Sequence, residues 1–151
     1  MVEHMVVEHD ESWISFFSRS YPHLNNTEIC AMNIHKTIFK GQQLYSYDGF
    51  SEKFAGKQFD FICIDAPFGK MDAADVPLFA RVDIIGLLPG ILSPDFVIMI
   101  DDVERSGEKG TIKEIKSVLT ASGIKFREGI YHGMKDCVVI CVEHLGFLTT
   151  M

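Results

Sequence analysis

The sequence has four cysteines, Cys30, Cys63, Cys137 and Cys141, and no CxxC pair among them. That spacing argues against a zinc site and against a disulfide framework, and fits reduced cysteines in a cytoplasmic protein. No apolar run approaches the ~18 residues that span a bilayer, and no basic-then-apolar stretch opens the chain. The cytoplasm is therefore the expected compartment, with no membrane partner. Positive charge is also short: 14 Lys+Arg against 21 Asp+Glu leave a formal charge of -7. A nucleic-acid partner is not expected, because such binders present a cationic surface that displaces counterions. HExxH spacing, a Ser-His-Asp order, a phosphate loop, internal repeats and low-complexity tracts are all missing.

What remains is the material of one core. A chain of 151 residues, 47% apolar and 23% charged, suits a single domain over 1–151. Met5 to Val7 form a short apolar run that ends in Glu8, His9 and Asp10, as a buried parallel strand does on leaving a sheet. Asp10 is placed to cap a helix from Glu11 to about Tyr21, in which Trp13, Ile14, Phe16 and Phe17 recur at helical spacings. Pro22 and Asn25-Asn26 end that pattern, and Thr27 to about Ile34 alternates as a strand does. The stretch from Lys36 to Lys57 reads mostly as loop with one short helix.

The second half is more regular. Phe59 to Asp65 is a buried strand, stopped by the turn Ala66-Pro67-Phe68-Gly69. Ile84, Leu87, Leu88 and Ile91 fall at i, i+3, i+4 and i+7, which predicts an amphipathic helix packed on the sheet and distorted or ended by Pro89. Phe96 to Ile100 is the most apolar strand, followed directly by Asp101 and Asp102. A helix over 110–121 buries Ile112, Ile115, Val118 and Leu119 and closes at Ser122-Gly123. Strands over 124–131 and 137–142 form a hairpin.

Strands alternating with helices predict an α/β fold: a Rossmann-like, mostly parallel sheet flanked by helices, with a C-terminal antiparallel hairpin. Ligands of such sheets bind beyond the carboxyl ends of the strands. Glu8 and Asp10, Asp65, and Asp101 with Asp102 all fall on that edge. Helix capping explains Glu8 and Asp10 equally well, and a turn before a helix explains Asp101 and Asp102. Asp65 is harder to explain as a turn residue.

The succession of Val7-Glu8-His9-Asp10, FDFICIDAPFG (59 to 69), FVIMIDDVERSGEKG (96 to 110) and a closing hairpin resembles a class I S-adenosylmethionine-dependent methyltransferase from its second strand onward, over residues 4 to 151. The resemblance implies S-adenosylmethionine as cofactor. Glu8 would accept hydrogen bonds from its ribose hydroxyls, His9 would flank the adenine, and Asp65 would stand beside the methionyl group and act as catalytic base. A further similarity, to the catechol O-methyltransferase type, implies that Asp65, Asp101 and Asp102 hold a magnesium ion (Mg2+).

One part of the family pattern is missing. Members open with a strand and a glycine-rich turn, whereas MVEHMVVEH holds no glycine. That strand is central in the family, between the second and the fourth. Its absence implies a gap in the sheet or direct pairing of the two neighbours, and with it a truncated or divergent domain or one that a partner completes, a homodimer through exposed sheet edges or surfaces being the expected partner. The implied activity is methyl transfer to a small-molecule hydroxyl or amine acceptor. The alternative is a non-catalytic methyltransferase-like domain that works through self-association or small-ligand binding. VIMIDD also suggests a phospho-acceptor receiver, but that fold carries its acidic pair after the first strand, and here the pair falls at 101–102.

Overall fold

The computed structural model describes residues 4–22, 25–67 and 76–150; Phe68 and Gly69 of the expected turn lie outside them. β1 (His4–Glu8) and β2 (Thr27–Ala31) pair in parallel and are joined through α1 (Glu11–Ser20). Asp10 caps α1 as expected, its carboxylate accepting from the Ser12 N–H at 2.8 Å. α1 buries none of its residues: Trp13, Phe16 and Phe17 stand exposed and pack against one another.

The loop expected over 36–57 is instead a hairpin, β3 (Ile34–Phe39) and β4 (Gln42–Tyr47), followed by the short helix α2 (Phe50–Phe54). Lys40 and Gly41 close the hairpin with φ of 47° and 82°. Positive φ at both central residues gives the turn whose twist matches that of the flanking strands.

Four strands make the main sheet: β5 (Phe59–Ile64), β6 (Leu92–Ile100), β7 (Phe126–Tyr131) and β8 (Cys137–Val142), in the order β5-β6-β8-β7. β5 and β6 are parallel; β8 runs antiparallel to both β6 and β7. The expected mostly parallel sheet is thereby corrected to a mixed one. The cause is the C-terminal hairpin, which inserts β8 beside β6, so that its antiparallel pairings outnumber the one parallel pairing of this sheet.

The amphipathic helix expected at 84–91 is a single 3-10 turn, Ile85–Leu87. Pro89 has no N–H with which to continue a helix, and Gly86 and Gly90 lower helix propensity on either side. Ile84 and Ile91 are nevertheless in the core. They meet Phe96, Ile98 and Ile100 of β6, Ile140 of β8, and Ile112, Ile115 and Leu119 of α3 (Ser106–Ala121). α3 begins a turn earlier than the apolar pattern indicates, and Val118 is only half-buried. All four cysteines are free; Cys30 and Cys141 are buried, but Cys63 is exposed on an uncovered face of β5. No described helix is long and apolar enough to cross a membrane.

The start of α3 lies directly against the segment 77–80. The Thr111 hydroxyl donates to the Ala80 carbonyl and accepts from the Ala80 N–H at 3.2 Å. A Cβ on Gly110 would stand 1.8 Å from the Leu78 carbonyl oxygen. Helix propensity alone would make Gly110→Ala stabilising by about 1 kcal/mol. The expected outcome is the reverse, a loss of about 1–3 kcal/mol from overpacking against backbone, measured as a shift in the urea unfolding midpoint.

Candidate functional site

β1 and β5 do not pair with each other or with any described strand between them. They flank a cleft of about 320 Å³. Every residue of β1, from His4 to Glu8, lines it, as does every residue from Phe61 to Ala66. A strand that offers consecutive residues to a cavity turns its edge to it, because side chains alone would alternate. Glu8 and Asp65 both act electrostatically on the Tyr47 hydroxyl, so the carboxyl ends of β1 and β5 lie on the same side. The connections β1 to β2 and β5 to β6 then lead away from the cleft in opposite directions. That makes it a topological switch point, the position at which open α/β sheets bind ligands.

Three side chains outside the sequence-derived set shape the mouth of this cleft: Tyr47 at the end of β4, and Arg81 and Asp83 from the segment before the 3-10 turn. Tyr47 is buried, and its hydroxyl has no hydrogen-bond partner among the described residues. Burial, and after it the Glu8 and Asp83 carboxylates, push its pKa well up, so it remains a neutral donor. Asp83 accepts from the Ser46 hydroxyl at 2.6 Å and from the Tyr47 N–H at 2.8 Å. Its burial raises its carboxyl above the usual range although both bonds oppose this.

Glu8 reaches the mouth, as the sequence indicates, but it also serves the local backbone. Its Oε1 accepts from the N–H groups of His9 at 2.7 Å and Asp10 at 2.9 Å, and lies 3.2 Å from His9 Nδ1. All three contacts use one oxygen, which leaves Oε2 for a ligand. Asp10 is committed to capping α1. Asp65 is well exposed at the end of β5; partial burial raises its carboxyl, and Arg81 opposes that shift.

Asp65, Asp101 and Asp102 do converge, with carboxylate oxygens within 4.8 Å of one another. Arg81 lies in the same place. Its Nη2 is 2.9 Å from Asp102 Oδ2, its Nη1 is 3.2 Å from the Asp101 carbonyl and 3.6 Å from Asp65, and its Nε is 3.5 Å from the buried Glu108. Arg105 and Lys135 reach Asp102 as well, at 2.8 and 2.9 Å. Three cations therefore already answer the three aspartates. A magnesium ion does not fit this arrangement, because its charge would fall beside a buried guanidinium. Arg81 and Asp102 both adopt left-handed backbone, φ 57° and 58°, which costs about 1–2 kcal/mol per residue and is held by their ion pair. Burial raises the Glu108 carboxyl. Burial would raise Asp102 too, but the hydrogen bonds from Lys135 and Arg81 outweigh it and hold that group below the usual range.

Sequence reasoning passed over Arg81. Its one signal was the single positive charge in the mainly apolar stretch Leu78 to Ile85, which also holds Asp83, since a buried arginine demands acidic partners. Arg81→Met is expected to cost about 3–5 kcal/mol in urea unfolding, because it leaves Asp102 and Glu108 buried without their central cation. For Asp102 the folded-state pKa lies below the unfolded one. Its stabilisation is thus present in full above about pH 4 and is lost as the pH falls further. The stability gap between the protein and Asp102→Asn should accordingly be constant near neutrality and close below about pH 4, in unfolding curves taken across that range.

No protein-family model and no curated protein matches the sequence. Among solved structures, the fold is similar to a Staphylococcus aureus protein described as a "putative caffeoyl-CoA O-methyltransferase". The TM-score is 0.54 at 12% sequence identity, over 93% of this chain and 65% of that one. The chain therefore spans less than two thirds of the length of that structure. At this identity the likeness concerns the fold alone: the chain has an α/β fold similar to that of the Staphylococcus aureus protein.

Proposed function

We propose that this domain transfers a methyl group from S-adenosylmethionine to a small hydroxyl or amine acceptor at the mouth of the β1–β5 cleft. The supporting observation is the gathering of Glu8, Tyr47, Asp83 and Asp65 at a topological switch point, with the Tyr47 hydroxyl buried and unpartnered among the described residues. S-adenosylmethionine, when bound, supplies an electrophilic methyl group on a positively charged sulfonium.

The chain's own residues have distinct tasks. Glu8 offers Oε2 to vicinal ribose hydroxyls, with His9 next to it as the flank of the adenine. Tyr47 donates its hydroxyl proton to a polar ligand atom. Asp65 receives the proton of an acceptor hydroxyl while the new O–CH3 bond forms, the S–CH3 bond breaks and S-adenosylhomocysteine leaves. A carboxyl raised by partial burial is a better base than an ordinary one. The acids at the mouth outnumber Arg81 and suit a cationic cofactor. Magnesium has no part in this scheme.

The second reading, a non-catalytic domain that acts by association, is favoured by the β1 and β5 edges, which face no partner strand among the described residues, and by the exposed aromatic side chains of α1. Calorimetric titration with S-adenosylmethionine and S-adenosylhomocysteine separates the two. Methyl transfer requires binding that Glu8→Ala weakens by about tenfold or more, about 1.4 kcal/mol, and that added magnesium leaves unchanged. Absence of heat with both ligands, supported by a competition assay, would sink the enzymatic reading for this chain.

A further inference from the structure

We propose that the Arg81 guanidinium is the built-in occupant of a divalent-cation site. The carboxylates of Asp65, Asp101 and Asp102, with the buried Glu108 behind them, form an oxygen cage that takes a hard metal ion once this one side chain is removed. Nothing in this depends on methyl transfer: the donor set suits a metal ion, and a side chain fills it.

The oxygens define the cage. One carboxylate oxygen from each of Asp65, Asp101 and Asp102 lies within 4.8 Å of the other two. Oxygens that ligate opposite sides of one magnesium or calcium ion are about 4–5 Å apart, so this spacing suits a single hard ion. The Asp101 carbonyl, an oxygen of a kind that such ions also accept, turns to the same place. Exposed acids often gather without an ion, but these have a buried fourth. Glu108 is 1% exposed, and neither of its carboxylate oxygens has a hydrogen-bond partner among the described residues. Its Oε1 lies 3.5 Å from Arg81 Nε. A carboxylate closed off from water and without a hydrogen bond demands a cation beside it.

Arg81 takes the part of that cation. Its donors spread in one plane, with Nη2 2.9 Å from Asp102 and Nη1 3.2 Å from the Asp101 carbonyl and 3.6 Å from Asp65. The other two cations are peripheral. Arg105 and Lys135 are each about half exposed, and of the three only Arg81 also pairs with Asp65. Without the Arg81 head group, four carboxyl groups face two cations, and a divalent ion restores the balance. Arg81 lines the cleft, so the space it leaves opens toward solvent, from which an ion can enter with part of its water shell. In the unaltered chain the site stays filled. A guanidinium keeps its proton at any ordinary pH, and a cation tied to the backbone is beyond the reach of a chelator.

The test is Mn2+ binding, followed by loss of the electron paramagnetic resonance signal of the free ion. It compares the unaltered chain with Arg81→Ala, Arg81→Lys, Lys135→Ala, and Arg81→Ala combined with Asp65→Asn. Arg81→Ala is expected to bind one ion per chain at least about a hundredfold more tightly than the unaltered chain. Arg81→Lys and Lys135→Ala, which keep a cation in the cage, should show no gain, and Asp65→Asn should remove at least about tenfold of the affinity that Arg81→Ala acquires. Arg81→Ala also loses stability, so its urea unfolding is followed by circular dichroism with and without Mn2+. The ion should raise the midpoint of Arg81→Ala and leave that of the unaltered chain in place. The proposal is overturned if the unaltered chain binds Mn2+ as tightly as Arg81→Ala, if Lys135→Ala gains the same affinity with Arg81 intact, or if Asp65→Asn leaves the acquired affinity untouched. It is overturned equally if Arg81→Ala, folded or not, draws neither binding nor stability from the ion.

Discussion

The Arg81 guanidinium stands where four parts of the chain meet: the end of β5 at Asp65, the end of β6 at Asp101 and Asp102, the first turn of α3 at Glu108, and its own segment before the 3-10 turn. A guanidinium buried this deeply requires acidic neighbours, and these acids, two of them equally buried, require it. The arrangement fixes the separation between the ends of β5 and β6 and the start of α3 with one planar group. It also settles the chemistry of the acidic edge. Asp102 is held ionised and occupied, while Asp65, at the far side of the same guanidinium, keeps its exposure to the cleft. One residue thus divides the carboxylates into a structural one and an accessible one.

The parts of the fold that sequence made legible are those in which a single physical demand acts alone. β6 and β8 are apolar because most of their length lies in the core and β5 because one of its faces does, and the Asp10 cap and the Gly123 helix stop follow from local hydrogen bonding and backbone freedom. The hairpin β3–β4 was obscured because its exposed residues mix His35, Lys36 and Gln43 with the apolar Ile38, so no alternation separates its two faces; the Lys40-Gly41 turn was its only compact signal. The Ile84 to Ile91 pattern misled because four apolar residues at helical spacing can also reach the core from a bent chain, and Pro89 decides for the bend. At the site, Glu8 and Asp65 could be placed from strand ends. Tyr47, Arg81 and Asp83 could not, since their roles arise from the meeting of segments distant in sequence.

Glu8 also shows how a backbone-holding role and the binding role proposed for it can share one side chain. Its Oε1 holds the backbone that leads into α1, which orients the carboxylate and spares its other oxygen. The structural task observed for Oε1 is thus compatible with the ligand contact proposed for Oε2. Tyr47 is complementary: a donor kept neutral by burial beside the Glu8 and Asp83 carboxyl groups. Together they give the mouth of the cleft both kinds of hydrogen-bonding group in a partly dry setting, where each such bond counts for more than in water.

The depth of the β1 and β5 edges bears on how the protein behaves at high concentration. Bare strand edges ordinarily invite sheet-to-sheet fusion between molecules and the growth of fibres. Here the two edges both line one cleft, so an approaching folded molecule would have to bring its own sheet edge into a recess rather than onto an open flank. The recess should therefore spare the protein from polymerising along these edges.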